Sequence, residues 1–119
     1  MLRAAEVEDA PEPQGDGDCY AVAGRAAIDN AYPDLRVVHA TVESKTVPRH
    51  GHAWIEYEDP QWGRLVRDMS NGNDVTLPWD FYYELGRVQD VARYTRQEAL
   101  TNMVSSGHFG PWHDDGVSR

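Results

Sequence analysis

A chain of 119 residues, 40% of them hydrophobic, is long enough to bury one core and too short for two. Its net charge of −9, from 11 basic against 20 acidic residues, argues against non-specific binding to nucleic acid or to an anionic membrane. No apolar run approaches the ~20 residues of a membrane span, and the opening MLRAAEVEDAPEP has no signal-peptide core.

Residues 1–14, rich in Glu, Asp and Pro, read as a flexible arm with little to bury, which leaves 15–119 as one domain. Cys19, Val22, Ala23, Ala26 and Ala27 then recur at helical spacing. Asp18 is the expected N-cap, and Pro33 stops the helix, so Cys19 falls in the first turn on the face that packs. Cys19 is the only cysteine, which forbids an internal disulfide and suits a reducing, cytoplasmic setting; a phage or secreted effector would look the same. Runs rich in β-branched and aromatic residues at 35–44, 52–58, 63–69 and 87–94 read as strands. SNGNDVTLP reads as a turn or loop, and WDFYYELG as a short helix or a further strand. Thr95 and Glu98 form a capping box for a helix that Gly107 would stop, and the aromatic tail GHFGPWHDD is placed to fold back. Helix, antiparallel strands, helix is the order of an α+β domain.

The second and third strands suggest a register. With the turn centred on Pro60, Glu56 faces Arg64, Ile55 faces Leu65, Trp54 faces Val66 and His52 faces Asp68. Alternation then puts His52, Trp54, Glu56, Arg64, Val66 and Asp68 on one face. A thiol in the first turn of a helix is what a His–Asp pair could activate, because the helix N-terminus and an imidazolium both favour the thiolate. Asp68 would fix the orientation of the ring, as in a generalised triad. Asp16 and Asp18 oppose this, since negative charge nearby disfavours a thiolate.

Other candidates have plainer readings. His50 shares a strand side with His52, but the expected register pairs it with Ser70 and not with an acid. Asp74 is a more distant substitute for Asp68. With no cysteine cluster, neither a metal site nor any cofactor is expected. His108 and His113 lie in the tail, and Arg64 and Arg67 read as surface partners of acids. Asn71 and Asn73 suit a turn. Trp54, Trp62, Trp79, Phe81, Tyr82 and Tyr83 read as core and rim, with Trp54 placed to shield the ion pair or form one cleft wall.

GHAWIEYEDPQWGRLVRDMSNG resembles the His and Asp segments of transglutaminase-like proteins, in which a His-Ala-Trp-x-Glu strand precedes an Asp that ends the next strand. QGDGDCY is similar to the Gln-Gly…Cys-aromatic segment of papain-type peptidases and to the Asp-Gly-x-Cys segment of ovarian-tumour-type deubiquitinases. All belong to the papain-like cysteine hydrolase superfold, and the likeness spans residues 14–69. It implies a papain-like core in which Cys19 is the nucleophile, His52 the general base and Asp68 the orienting acid. Gln14 and the Cys19 backbone N–H are the implied oxyanion donors. The function implied is a small thiol hydrolase or acyltransferase acting on an amide bond of a protein or peptide. Hydrolysis, deamidation and transamidation share the first step and stay open. The alternatives are a catalytically silent binding module using an acidic, aromatic-rich surface, and an ordinary α+β domain in which Cys19 is packing. Oligomeric state is not set by any of these residues.

Overall fold

In chain order the protein has α1 (Asp16–Asp29), β1 (Arg36–Val42), β2 (His50–Asp59), β3 (Gly63–Asp68), a 3₁₀ turn (Ser70–Gly72), β4 (Val75–Pro78), α2 (Trp79–Leu85), β5 (Gln89–Thr95) and α3 (Arg96–Ser106). The structure, a computed structural model, describes residues 16–30 and 32–112; the arm at 1–14, including Gln14, and the tail residue His113 lie outside them. The strands form one antiparallel sheet in the order β4-β3-β2-β1-β5. The α+β class is therefore as expected. No described helix is long and apolar enough to cross a membrane.

Alternation along the strands builds two cores on this one sheet. Val37, Ala53 and Ile55 point to the face covered by α1 and α3, where they meet Cys19, Ala23, Ala27, Ala99 and Trp112. Val38, Ala40, Trp54 and Val66 point to the other face, under Tyr82 and Tyr83 of α2. The small residues of α1 let that helix lie close on β2, as their spacing predicts. The tail does fold back: Trp112 is buried against His39 and Tyr94, with ring centroids 4.8 and 5.0 Å away. Phe109 covers Gly24, where a Cβ would come within 2.5 Å of its ring.

Three local expectations need correction. Asp18 is not the N-cap, because α1 already begins at Asp16; acidic residues suit the positive end of a helix, so the helix runs through this acidic stretch. The β2–β3 register is displaced by two residues: Ile55 pairs with Arg67, Glu56 with Val66, Tyr57 with Leu65 and Glu58 with Arg64. The cause is the turn. Asp59 Oδ1 accepts from the backbone N–H groups of Gln61 and Trp62 at 2.8 and 3.0 Å, and Gly63 takes φ +79°, so three residues are looped out. The expected loop at 70–78 also contains an edge strand, β4. Most of its side chains are exposed, so no apolar alternation marks it.

The capping box of α3 forms as expected. Thr95 Oγ1 accepts from the Glu98 N–H at 3.1 Å, Glu98 Oε1 accepts from the Thr95 N–H at 2.9 Å, and Gly107 ends the helix at φ 79°. Among the described residues of this helix only Ala99 is fully buried, with Met103 packed beside the core, so the cap matters to its stability. Thr95→Ala should cost about 1 kcal/mol in urea unfolding. A loss of only a few tenths would mean that tail packing alone holds α3.

Candidate active site

The site lies where the sheet parts. β3 pairs with β2 from Ile55 to Asp59 and then leaves it, passing through Asp68 into the 3₁₀ turn that packs on α1. The opening half of β2, His50 to Trp54, therefore has no β3 neighbour. His52 belongs by alternation to the α2 face and Cys19 to the α1 face, yet the gap lets groups from both sides meet. Cys19, Ala53, Trp54, Arg67, Met69 and Ser70 border one tight crevice there. Gly51 permits the close approach of α1: a Cβ on it would lie 2.7 Å from the Tyr20 hydroxyl. Tyr20 follows Cys19, and Gly51 precedes His52, so a side chain at position 51 would disturb the packing beside both.

His52 Nε2–H donates to Asp68 Oδ2 at 2.7 Å, and the two side chains are only 11% and 15% exposed. Although the displaced register removes direct opposition, a shift of two keeps both residues on one face, and the imidazole spans the diagonal. This leaves Nδ1 for the thiol. It is buried with no standard hydrogen bond among the described residues, and the Cys19 side chain is near enough to act on the ring. Burial alone would lower the pKa of His52. The Asp68 hydrogen bond, the Cys19 contact and the negative charge of both partners outweigh it and hold the imidazolium up to about 10. Burial would likewise raise Asp68, but hydrogen bonds and charge from His52, with hydrogen bonds from Tyr82 and Ser70, bring it down to about 2.

Two of these partners are not visible in the sequence as site residues. Ser70 Oγ–H donates to Asp68 Oδ1 at 2.9 Å, and the Tyr82 hydroxyl donates to Asp68 Oδ2 at 2.6 Å. The SNG turn directly after Asp68 was a signal for the first; an aromatic cluster of ambiguous structure gave none for the second. Trp54 is 1% exposed, with its ring centroid 6.0 Å from that of His52 and 5.0 Å from that of Tyr82, so it is a buried wall. Its Nε1–H donates to Glu56 at 3.0 Å, and the buried Glu56 also accepts from Tyr83 and, at 3.1 Å, from Arg93.

The remaining candidates stand apart. His50 Nδ1 lies 2.9 Å from the Pro48 carbonyl, not beside an acid. Asp74 is engaged by Arg67 at 2.7 and 2.9 Å, so it does not substitute for Asp68. Among the described residues no three His, Cys, Asp or Glu side chains gather as metal ligands would. A hollow of about 430 Å3 between Tyr32, Arg36 and Arg96 is bordered by none of Cys19, His52 and Asp68. Cys19 itself is 1% exposed. Comparison of the chain with protein-family models, with curated proteins and with solved structures finds no match.

Proposed function

We propose that the protein is a small papain-like thiol hydrolase or acyltransferase, nearest to the transglutaminase-like branch, acting on an amide bond of a protein or peptide in the cytoplasm. The observation that carries this reading is the His52–Asp68 pair at 2.7 Å, with the other ring nitrogen buried without a hydrogen bond and the single cysteine near enough to act on the ring. Cys19 Sγ attacks the carbonyl carbon, and a C–S bond forms as the carbonyl π electrons move to oxygen. Gln14 is the proposed donor to that oxyanion. As the C–N bond breaks, His52 gives its Nδ1 proton to the leaving nitrogen. Water or an amine then attacks the thioester, His52 takes its proton, and the thiolate leaves. Asp68 holds the ring in orientation throughout.

A second reading has one observation in its favour. With Cys19 1% exposed, the same fold could serve as a catalytically silent binding module acting through its acidic, aromatic-rich surface. Alkylation of Cys19 by iodoacetamide from pH 4 to 10 separates the two, and the lone cysteine makes the signal unambiguous. The enzyme reading expects the wild-type thiol to react well below the ordinary pKa of about 8.5, and His52→Ala to move the profile back up. If both proteins titrate near that value, or neither reacts until unfolded, the thiol is not activated and the binding reading stands.

A further inference from the structure

We infer that Tyr82 is a positioning residue of the site, holding Asp68 as a fixed acceptor for His52 by sharing the same carboxylate oxygen. The inference rests on reading Cys19, His52 and Asp68 as the reacting group. Asp68 Oδ2 accepts from His52 Nε2–H at 2.7 Å and from the Tyr82 hydroxyl at 2.6 Å, while Oδ1 accepts from Ser70 Oγ–H at 2.9 Å and its N–H at 3.3 Å. A carboxylate with donors on both oxygens cannot rotate away from the imidazole without abandoning them, and each donor favours its charged form.

Tyr82 also reaches the pair from an element of its own, α2. Cys19 comes from α1, Asp68 from the end of β3, Ser70 from the 3₁₀ turn and Tyr82 from α2; His50, on the same strand as His52, has its ring centroid 6.1 Å away. Packed on Trp54 at 5.0 Å, the Tyr82 ring closes the α2 side of the pair. Burial and the Asp68 charge raise the Tyr82 pKa far above its ordinary value, so the phenol remains a donor. The neighbouring Tyr83 makes the equivalent bond to Glu56 instead, outside the site. Two adjacent hydroxyls of one short helix therefore serve two different carboxylates, and only that of Tyr82 serves the one bound to His52.

The test is the titration of the His52 ring by NMR in the full chain, for wild type, Tyr82→Phe and Tyr83→Phe. Each substitution removes one oxygen and keeps the ring. Tyr82→Phe should move the His52 midpoint by about one pH unit, up where the carboxylate stays in place without its competing donor and down where it swings away, whereas Tyr83→Phe, which loses a comparable bond, should leave it in place. A folded Tyr82→Phe protein with an unmoved midpoint overturns the inference, as does an equal shift in both variants. Should Tyr82→Phe fail to fold, the wild-type protein decides: the Tyr82 hydroxyl proton should exchange slowly and show a cross-peak to the His52 ring, and its absence overturns the assignment. Thiol alkylation is independent of this readout, so an unreactive Cys19 would refute the proposed chemistry while leaving the His52 titration to judge Tyr82.

Discussion

Glu56→Ala should destabilise the protein by about 3 kcal/mol, read as a lowered urea midpoint. Glu56 is 1% exposed, and its carboxylate accepts from Trp54 Nε1–H at 3.0 Å, from the Tyr83 hydroxyl and from Arg93 Nε–H at 3.1 Å, with Arg64 4.0 Å away. Arg93 and Arg64 are more than one-third exposed and would regain water once Glu56 is gone. The Trp54 donor would not, and a buried N–H left without an acceptor costs about 1–3 kcal/mol by itself. The rest comes from the lost charge-assisted bonds. Glu56→Gln, which keeps the shape and most acceptors, should lose markedly less. If Glu56→Ala unfolds within about 1 kcal/mol of wild type, α2 is held by apolar contact alone.

The second large effect is a dependence of stability on pH set by the His52–Asp68 pair. At the acid end Asp68 has its pKa lowered to about 2 from 3.8. Its contribution is present above pH ~4 and is lost as pH falls towards 2, an effect of roughly 2 kcal/mol. At the alkaline end His52 is raised from 6.5 to about 10. The stability it supplies is complete below pH ~6.5 and disappears as pH rises towards 10. Cys19 is itself a partner of the imidazole, so the measurement that isolates the His52–Asp68 pair belongs in a Cys19→Ser chain. There the unfolding free energy should be flat between pH 4 and 6.5 and then fall by about 2–4 kcal/mol as the imidazolium loses its proton. The acid and alkaline losses describe one ion pair from its two ends and are not summed. Adding His52→Ala should abolish the alkaline decline. A Cys19→Ser chain with constant stability from pH 6.5 to 10 would show that the pair is not ionised.

What could be read from the chain follows from the range over which each signal acts. The helical phase of Cys19 to Ala27 and the Thr95–Glu98 box are local, and both hold in the structure. The hairpin was legible as an element but not in register, because the register is decided by the Asp59 side chain capping two turn amides. His52 and Asp68 meet nonetheless, since a displacement of two residues changes neighbours without changing faces. The thiol joins them for a reason that no periodicity contains: the parting of β3 from β2 opens the sheet to both layers. Tyr82 and Arg93 were illegible as partners, for each acts across the sheet from an element far along the chain.

The strand order has a consequence for how the protein is made. β1 is an interior strand whose second neighbour, β5, is synthesised only after every other strand. Until Gln89–Thr95 has left the ribosome, the hydrogen-bonding edge of RVVHATV stands unpaired, and Trp112, which seals the layer containing Cys19, follows later still. Nascent chains halted before β5 would thus present a valine-rich edge open to pairing with another chain. Completion of the sheet waits on a contact between distant parts of the sequence, which is a slow kind of closure. The helix that bears the thiol is translated before every strand of this sheet, and its environment is completed only after the last of them.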